Sequence, residues 1–170
     1  MTLPAPPSQP SEQLTDDFWF KAIFGGLLAT VAGIISAWLL TWLCQQWLSS
    51  SAIWISAGIG GVIAGVLQGV FIRHPIEPKL LWLTASSSGW LAALGYAQAI
   101  GSAWPRIGPG AWLGATALGG AIIGGAQWLV LRRTRQDAVW WVALNASIWL
   151  FIGVIVLVIV GFWFGVMTRE

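Results

Sequence analysis

Long stretches of the chain contain no charged residue, and this pattern limits what the protein can fold into more than any other feature. Only 14 of the 170 residues are Asp, Glu, Lys or Arg, which is 8%, whereas soluble domains carry about 25%. Nine of these charges lie between Phe18 and Thr168. The surface of a soluble globule needs many more. The composition therefore predicts an integral membrane protein. It excludes a cytosolic enzyme, a nucleic-acid-binding domain and a disordered chain.

Five apolar runs are each long enough to cross a hydrocarbon layer about 30 Å thick, which takes roughly 20 helical residues. They cover about 18–44, 52–72, 79–101, 111–131 and 138–167. The runs do not alternate with a period of two, which argues against a β-barrel. We therefore predict an all-α, polytopic integral membrane protein of about five transmembrane helices, forming a single domain over 18–168. The Pro-rich segment 1–17 is expected to be a disordered tail.

Basic residues in the short connections predict the orientation of the chain. Five helices place the N-terminal tail and the second-to-third and fourth-to-fifth connections on one side. That side holds six of the eight Lys and Arg residues. We therefore expect a cytoplasmic N-terminus and a C-terminus on the opposite side. Some of these bases are candidate contacts to lipid headgroups, although topology alone also accounts for them: Arg73, Arg132, Arg133 and Arg135.

Tryptophan is unusually frequent, with 14 residues. Twelve of them fall near predicted helix ends, which favours an aromatic belt at the headgroup level. Trp90 and Trp149 are the exceptions, because both are expected near the middle of the membrane.

The second and third helices repeat as the fourth and fifth, 59 residues further along the chain. Aligned from Gly60 and Gly119 without a gap, ten of 32 positions are identical. The matches include Gln68 with Gln127, Arg73 with Arg132, Trp82 with Trp141 and Trp90 with Trp149. Both units, about 52–101 and 111–167, point the same way, so a pseudo-twofold axis would run along the membrane normal. The repeat either supplies two packed hairpins or encloses a path for a solute.

Small and polar residues inside the helices suggest how the helices pack. Stripes of glycine at every fourth position allow close helix approach in lipid, and the candidate packing residues are Gly61, Gly65, Gly69, Gly120 and Gly124. Gln68, Gln127 and Asn145 are intramembrane amides that need hydrogen-bond partners. They are either struts between helices or contacts to a ligand. Together with Trp90 and Trp149 they form the candidate contacts to a ligand or pigment.

No Asp, Glu, Lys, Arg or His lies in the core of any predicted helix, which argues against proton relays and ion-coupled transport. The chain has one His and one Cys, so no metal cluster is expected. No catalytic constellation is present, and we predict that the protein is not an enzyme.

The second repeat carries a GGxxxGxxQ pattern, then a basic pair, then a tryptophan pair: Gly119-Gly120, Gly124, Gln127, Arg132-Arg133 and Trp140-Trp141. This order resembles a group of small, uncharacterised multi-pass membrane proteins abundant in cyanobacteria, over roughly residues 55–165. The first unit departs from it, with His74 where the second has Arg133. The resemblance implies no activity or cofactor. It implies a location in the thylakoid or plasma membrane.

Two functions follow as expectations. The first is a non-enzymatic membrane subunit or accessory protein that packs against a larger membrane complex, and in a photosynthetic setting against a pigment–protein complex. Its possible ligands would then be chlorophyll, carotenoid or lipid. We expect it to interact with membrane lipid and other membrane protein subunits, and not with nucleic acid. The alternative is a facilitator or transporter of a neutral or lipidic solute through the repeat interface.

Overall fold

The computed structural model describes residues 16–48, 50–72, 79–101, 108–133 and 138–167. Within these ranges the chain forms five helices, α1 (Asp16–Leu48), α2 (Ser51–Ile72), α3 (Lys79–Gly101), α4 (Pro109–Leu131) and α5 (Val139–Met167). The predicted all-α fold is confirmed. Helix bounds agree with the predicted runs to within two residues, except that α1 continues past Cys44 to Leu48. Glutamine is a good helix former, so Gln45 and Gln46 do not stop it. Most of the predicted tail lies outside the described residues.

The two ends of α4 follow from its local sequence. Gly108 precedes the helix in an extended conformation, and Pro109 occupies the first turn, where a missing N–H costs nothing. The Gly108 carbonyl accepts a hydrogen bond from the Trp112 N–H at 3.1 Å. At the other end, the Arg132 N–H donates to the Trp128 carbonyl at 2.8 Å.

Four of the five helices are long and apolar enough to cross a membrane, namely α1, α2, α4 and α5. Helix α3 has sufficient length, with 23 residues, but the polar stretch Thr84 to Ser88 lowers its apolarity. Packing against neighbouring helices gives some of these polar residues partners within the protein. Helix α3 packs between α2 and α4, and Ser87 donates a hydrogen bond across to the Gly58 carbonyl at 3.1 Å. Ser86 is buried in the bundle and Ser87 is half-buried, whereas Thr84 and Ser88 are exposed and donate to carbonyl groups of their own helix.

Helices that are consecutive in the chain pack side by side. Helix α1 runs antiparallel to α2, with Gly25 against Phe71 near one end and Gly33 against Gly60 near the middle. A Cβ at Gly33 would lie 2.9 Å from the Gly60 carbonyl oxygen, so the two backbones are nearly in contact. The close approach yields dispersion contacts that lipid would not give at this density.

The two hairpins use equivalent residues in the same way. A Cβ at Gly61 of α2 would lie 3.0 Å from both the Ser86 carbonyl oxygen and Trp90 Cβ of α3. A Cβ at Gly120 of α4 would lie 2.6 Å from the Asn145 carbonyl oxygen and 2.7 Å from Trp149 Cβ of α5. Each of these residues is 59 positions from its counterpart. The sequence repeat is therefore also a repeat in three dimensions.

Three pairs of equivalent residues touch each other across the centre of the bundle. Gln68 hydrogen-bonds Gln127, and the ring of Trp82 meets that of Trp141. The rings of Trp90 and Trp149 also meet. A residue can contact its own symmetry equivalent only if both lie at the axis that relates them. These three pairs therefore mark the pseudo-twofold axis between the hairpins.

One sequence difference breaks this symmetry. Gly89 lets α3 approach α4, because a Cβ there would lie 3.0 Å from Ile123 Cα. The equivalent residue of the second unit is Ile148, whose Cδ1 atom would be 2.9 Å from a Cβ at Gly26 of α1. Helix α5 therefore meets α1 through a bulky side chain, whereas α3 meets α4 backbone to backbone. Helix α1 lies beside α2 and α5.

The bundle has two distinct ends. We call the one that carries Arg132 and Arg133, both exposed, the arginine end. The antiparallel packing places the beginnings of α1, α3 and α5 and the ends of α2 and α4 there. The ends of α1, α3 and α5 and the beginnings of α2 and α4 lie at the opposite end.

Candidate functional site

A buried polar layer occupies the axis in the half of the bundle near the arginine end. Gln127 Nε2 donates hydrogen bonds to Gln68 Oε1 at 2.7 Å and to Ser86 Oγ at 3.0 Å. Gln127 Oε1 accepts a hydrogen bond from Trp141 Nε1 at 2.7 Å. Gln127 and Ser86 are completely buried, and Gln68 is 2% exposed. Since a membrane interior offers no water to satisfy such groups, the layer joins α2, α3, α4 and α5 through bonds that the protein must supply itself.

The polar layer is not symmetric, although its residues are equivalent. Trp82 Nε1 donates to the Gly65 carbonyl at 2.9 Å, whereas Trp141 donates to an amide side chain. Gln127 is the donor and Gln68 the acceptor in the bond across the axis, so the two amides are not equivalent. The two indoles accordingly bond to different groups. The two rings also meet edge to face, with centroids 5.8 Å apart and an interplanar angle of 62°, a favourable aromatic geometry.

The belt interpretation is wrong for Trp82 and Trp141, which are 2% and 3% exposed. Their helices turn them inward to the axis, and their N–H groups bond within the bundle. Other tryptophans near helix ends are exposed as a belt requires: Trp38, Trp42, Trp47, Trp54 and Trp140.

Trp90 and Trp149 form a second aromatic pair, further from the arginine end. Their centroids are 5.7 Å apart with an interplanar angle of 69°. Trp90 is buried and packs with Ala64 and Ile123. The pair lies along the same axis as the polar layer and closes that layer from the opposite half of the bundle.

A cavity of about 410 Å³ lies on the other side of this tryptophan pair and is partly open to the surroundings. Its walls come from the second half of α1, the first half of α2, the second half of α3 and the first half of α4. Trp149 is the residue that α5 contributes. The lining is almost wholly apolar and includes Ile34, Trp38, Trp90, Tyr96, Gly119 and Trp149. A volume of this size lies within the range of about 300–1,000 Å³ for small-molecule pockets.

Two buried polar atoms near the tryptophan pair have no hydrogen-bond partner in the described part of the chain. They are Asn145 Oδ1 and Trp149 Nε1. Asn145 Nδ2 donates to the Trp141 carbonyl at 3.0 Å, so only its oxygen is unpaired. A buried polar atom without a partner costs about 1–3 kcal/mol. Its presence in a native structure therefore needs an explanation.

The other residues singled out in the sequence have varied surroundings. Gly65 and Gly124 lie against Ser86 and Asn145 respectively, whereas a Cβ at Gly69 would have its nearest neighbour 4.0 Å away. Arg132 Cζ lies 5.1 Å from the centroid of the Trp128 ring. Arg73 and Arg135 lie outside the described residues.

Sequence reasoning missed the cavity and the inward position of Trp82 and Trp141. The cavity depends on the spacing of four helices, which no local pattern encodes. The inward tryptophans did carry a signal, because each recurs 59 residues from the other in the repeat, as Gln68 and Gln127 do.

The fold and these contacts define a polytopic helical membrane protein built on a repeated hairpin, with a central polar layer and an apolar cavity. The chain matches no protein-family model, no curated protein and no solved structure. Its function is therefore inferred from the geometry.

Proposed function

We propose that the protein is a non-enzymatic, integral membrane accessory protein that holds an apolar molecule, such as a lipid chain or a carotenoid-type pigment, in the cavity above Trp90 and Trp149. The observation that carries this proposal is the apolar cavity of about 410 Å³ with its aromatic floor. Rigid aromatic and aliphatic walls bind such molecules through van der Waals contacts with a matching shape, because lipid is as apolar as the cavity and leaves no hydrophobic driving force.

The packing along the repeat axis favours binding over passage. A solute that crossed between the hairpins would have to displace the Trp90–Trp149 pair and then break the bonds of Gln127 to Gln68 and Trp141. Among the described residues, those that mark the axis are packed against one another. The cavity therefore ends at the tryptophan pair, as suits a bound ligand.

The amides of the polar layer act in this proposal as struts. Gln68 and Gln127 bond to each other, and Gln127 also bonds to Ser86 and Trp141. Contacts to an apolar ligand come instead from Trp90 and Trp149, which line the cavity. A chlorophyll bound through either glutamine side chain would have to break the layer that joins four helices, so a lipid or a carotenoid suits the site better.

A role as a subunit of a larger membrane complex is the second part of the proposal. The outer faces of α1 and α5 present large apolar side chains, which suit lipid and the helices of another membrane protein alike. In a photosynthetic membrane the partner would be a pigment–protein complex. Purification in a mild detergent tests this part. Co-migration with a defined membrane complex is expected, and a monodisperse monomer under all mild conditions would contradict it.

Filling the cavity should remove the bound molecule. Gly119 lines the cavity, and a Cβ built there has no neighbour within 4 Å. We expect Gly119→Phe to fold normally and to lose at least 90% of the apolar molecule that co-purifies with the wild-type protein, because the ring takes up the same space. Mass spectrometry of an organic extract of the purified protein measures this loss.

Gly125→Phe is the matched control. It places the same side chain on the same helix, at a glycine that does not line the cavity and also has open space around it. It should retain the bound molecule. A wild-type protein with no stoichiometric apolar molecule, or one that Gly119→Phe leaves in place, would contradict the proposed function.

The orientation of the chain is a further part of the proposal and rests on the bases at the arginine end, among them the exposed Arg132 and Arg133. In this orientation the same side chains would contact anionic headgroups. Starting from Cys44→Ser, which removes the single cysteine, and with the protein expressed in a bacterial plasma membrane, we expect Gln46→Cys to react with a membrane-impermeant maleimide in intact cells. Arg133→Cys should react only after the cells are opened. The reverse labelling pattern would show that the N-terminus lies outside the cytoplasm and would contradict the proposed orientation.

A further inference from the structure

The two unpaired atoms near the cavity floor lie on one face of α5. Asn145 and Trp149 are four residues apart, so their side chains are neighbours on the helix surface. Both face α4, where Gly124 lies against Asn145 and Gly120 lies against Trp149. One atom is an acceptor, Asn145 Oδ1, and the other is a donor, Trp149 Nε1. The other polar side chains of the neighbouring layer, such as Gln127 and Trp141, have partners.

One unpaired acceptor and one unpaired donor restrict the chemical group that could hydrogen-bond to both. An occupant that satisfies both atoms must donate a hydrogen bond to the asparagine oxygen and accept one from the indole N–H. A carbonyl or an ether accepts but does not donate, and an ammonium group donates but does not accept. A neutral hydroxyl does both.

Trp149 links this polar pair to the apolar cavity. Its ring lines the cavity, and its Cδ1 atom, which is bonded to Nε1, is the atom that a Cβ at Gly120 would meet at 2.7 Å. The neighbouring Gly119 also lines the cavity and has open space around it. Both atoms are closed off in the present packing, so the binding of an occupant requires the Trp149 ring to shift, and open space lies at Gly119 in the same cavity.

We propose that the cavity selects a neutral apolar molecule that ends in a hydroxyl group, with its chain in the cavity and its hydroxyl between Asn145 Oδ1 and Trp149 Nε1. This inference rests on the proposed function and specifies the ligand class. The hydroxyl donates to the asparagine, and the indole N–H donates to the hydroxyl oxygen. A site built in this way rejects an analogue without the hydroxyl, because the two protein atoms are then left unpaired.

Competition binding tests the selection. The full-length protein in lipid nanodiscs is loaded with tritiated hexadecan-1-ol, and unlabelled hexadecan-1-ol, 1-methoxyhexadecane and hexadecane compete for the site. Nanodiscs without protein give the background. We expect the alcohol to compete about tenfold more strongly than the hydrocarbon, as suits one or two hydrogen bonds in a buried site. The ether, which accepts but does not donate, should fall between them.

Substitutions at Asn145 and Trp149 test whether these two residues cause the preference for the alcohol. Trp149→Phe keeps an aromatic ring and removes the donor, and Asn145→Leu removes the acceptor. Each should reduce the preference for the alcohol over the hydrocarbon to about threefold or less. Trp140→Phe changes an exposed indole on the same helix, outside the cavity, and should keep the full preference. If Asn145→Leu fails to fold, Trp149→Phe with the three competitors still decides.

The outcomes separate this inference from the function on which it rests. Equal competition by alcohol and hydrocarbon would overturn the hydroxyl selection and leave the apolar cavity in place. Absence of specific binding by every probe would overturn both. A preference for the alcohol that Trp149→Phe leaves unchanged, or an experimental structure with only a water between the two atoms, would also overturn the selection.

Discussion

Replacement of Gln127 by leucine is expected to lower the free energy of unfolding by about 2–4 kcal/mol, from the loss of three buried hydrogen bonds in a membrane interior. Gln127 donates to Gln68 and Ser86 and accepts from Trp141. Leucine has a similar volume but no polar atoms, so the indole of Trp141 would be left without its acceptor. Reversible unfolding in mixed micelles, followed by tryptophan fluorescence, measures the change.

Two companion variants make this result specific. Gln98→Leu alters an exposed glutamine of α3 and should change stability by less than about 0.5 kcal/mol. Adding Gln68→Leu to Gln127→Leu removes the acceptor that lost its donor, so the double variant should be less destabilised than the sum of the two single variants. Strict additivity, or an unaltered stability for Gln127→Leu, would show that the polar layer does not hold the hairpins together.

A single methyl group at Gly120 is expected to destabilise the protein by about 1–3 kcal/mol, the usual range for overpacking. A Cβ at this position would lie 2.6 Å from the Asn145 carbonyl oxygen. That neighbour is backbone of α5, so it cannot rotate away, and the two helices must separate. The thermal unfolding of Gly120→Ala in detergent, compared with wild type, checks this expectation.

Gly125→Ala provides a control of the opposite sign. It lies on the same helix, and a Cβ there would meet nothing within 4 Å. Alanine is a better helix former than glycine by up to about 1 kcal/mol, so this variant should be as stable as wild type or more stable. Equal destabilisation of both variants would indicate a general intolerance of α4 and not a specific contact between α4 and α5.

The helices themselves were predictable because their cause is local. Hydrocarbon cannot satisfy backbone groups, so an apolar run of sufficient length must form a helix. Five runs gave five helices with nearly the predicted bounds. The end of α1 differed, since the polar residues Gln45 and Gln46 indicate an interface but do not break a helix.

The direction in which each side chain points was harder to predict. Trp82 and Trp140 both lie near helix ends, yet the first is 2% exposed and the second 62%. Position along a helix predicts depth in the membrane, but rotation about the helix axis decides between lipid and the bundle. In a soluble protein the contrast between an apolar inner face and a polar outer face indicates this rotation, whereas here most residues on both faces are apolar and the contrast is weak.

The candidate site was also predictable only in part. The repeat already paired Gln68 with Gln127 and Trp90 with Trp149 by their spacing of 59 residues. The spacing alone did not show that each pair touches, since equivalent residues can also lie far from the axis that relates them. Contact at 2.7 Å between the amides shows that this axis passes through them.

What the sequence determined by itself is the membrane setting, the number of helices and the existence of two equivalent hairpins, because charge, run length and repetition are properties of the chain. The tertiary structure decided which faces meet. Gly89 and Ile148 occupy equivalent positions, yet Gly89 lies against the backbone of α4, whereas Ile148 lies against Gly26 of α1. The cavity, its tryptophan floor and the two unpaired atoms depend on the distances among five helices. Such distances arise from the packing of side chains remote in sequence, which no local pattern records.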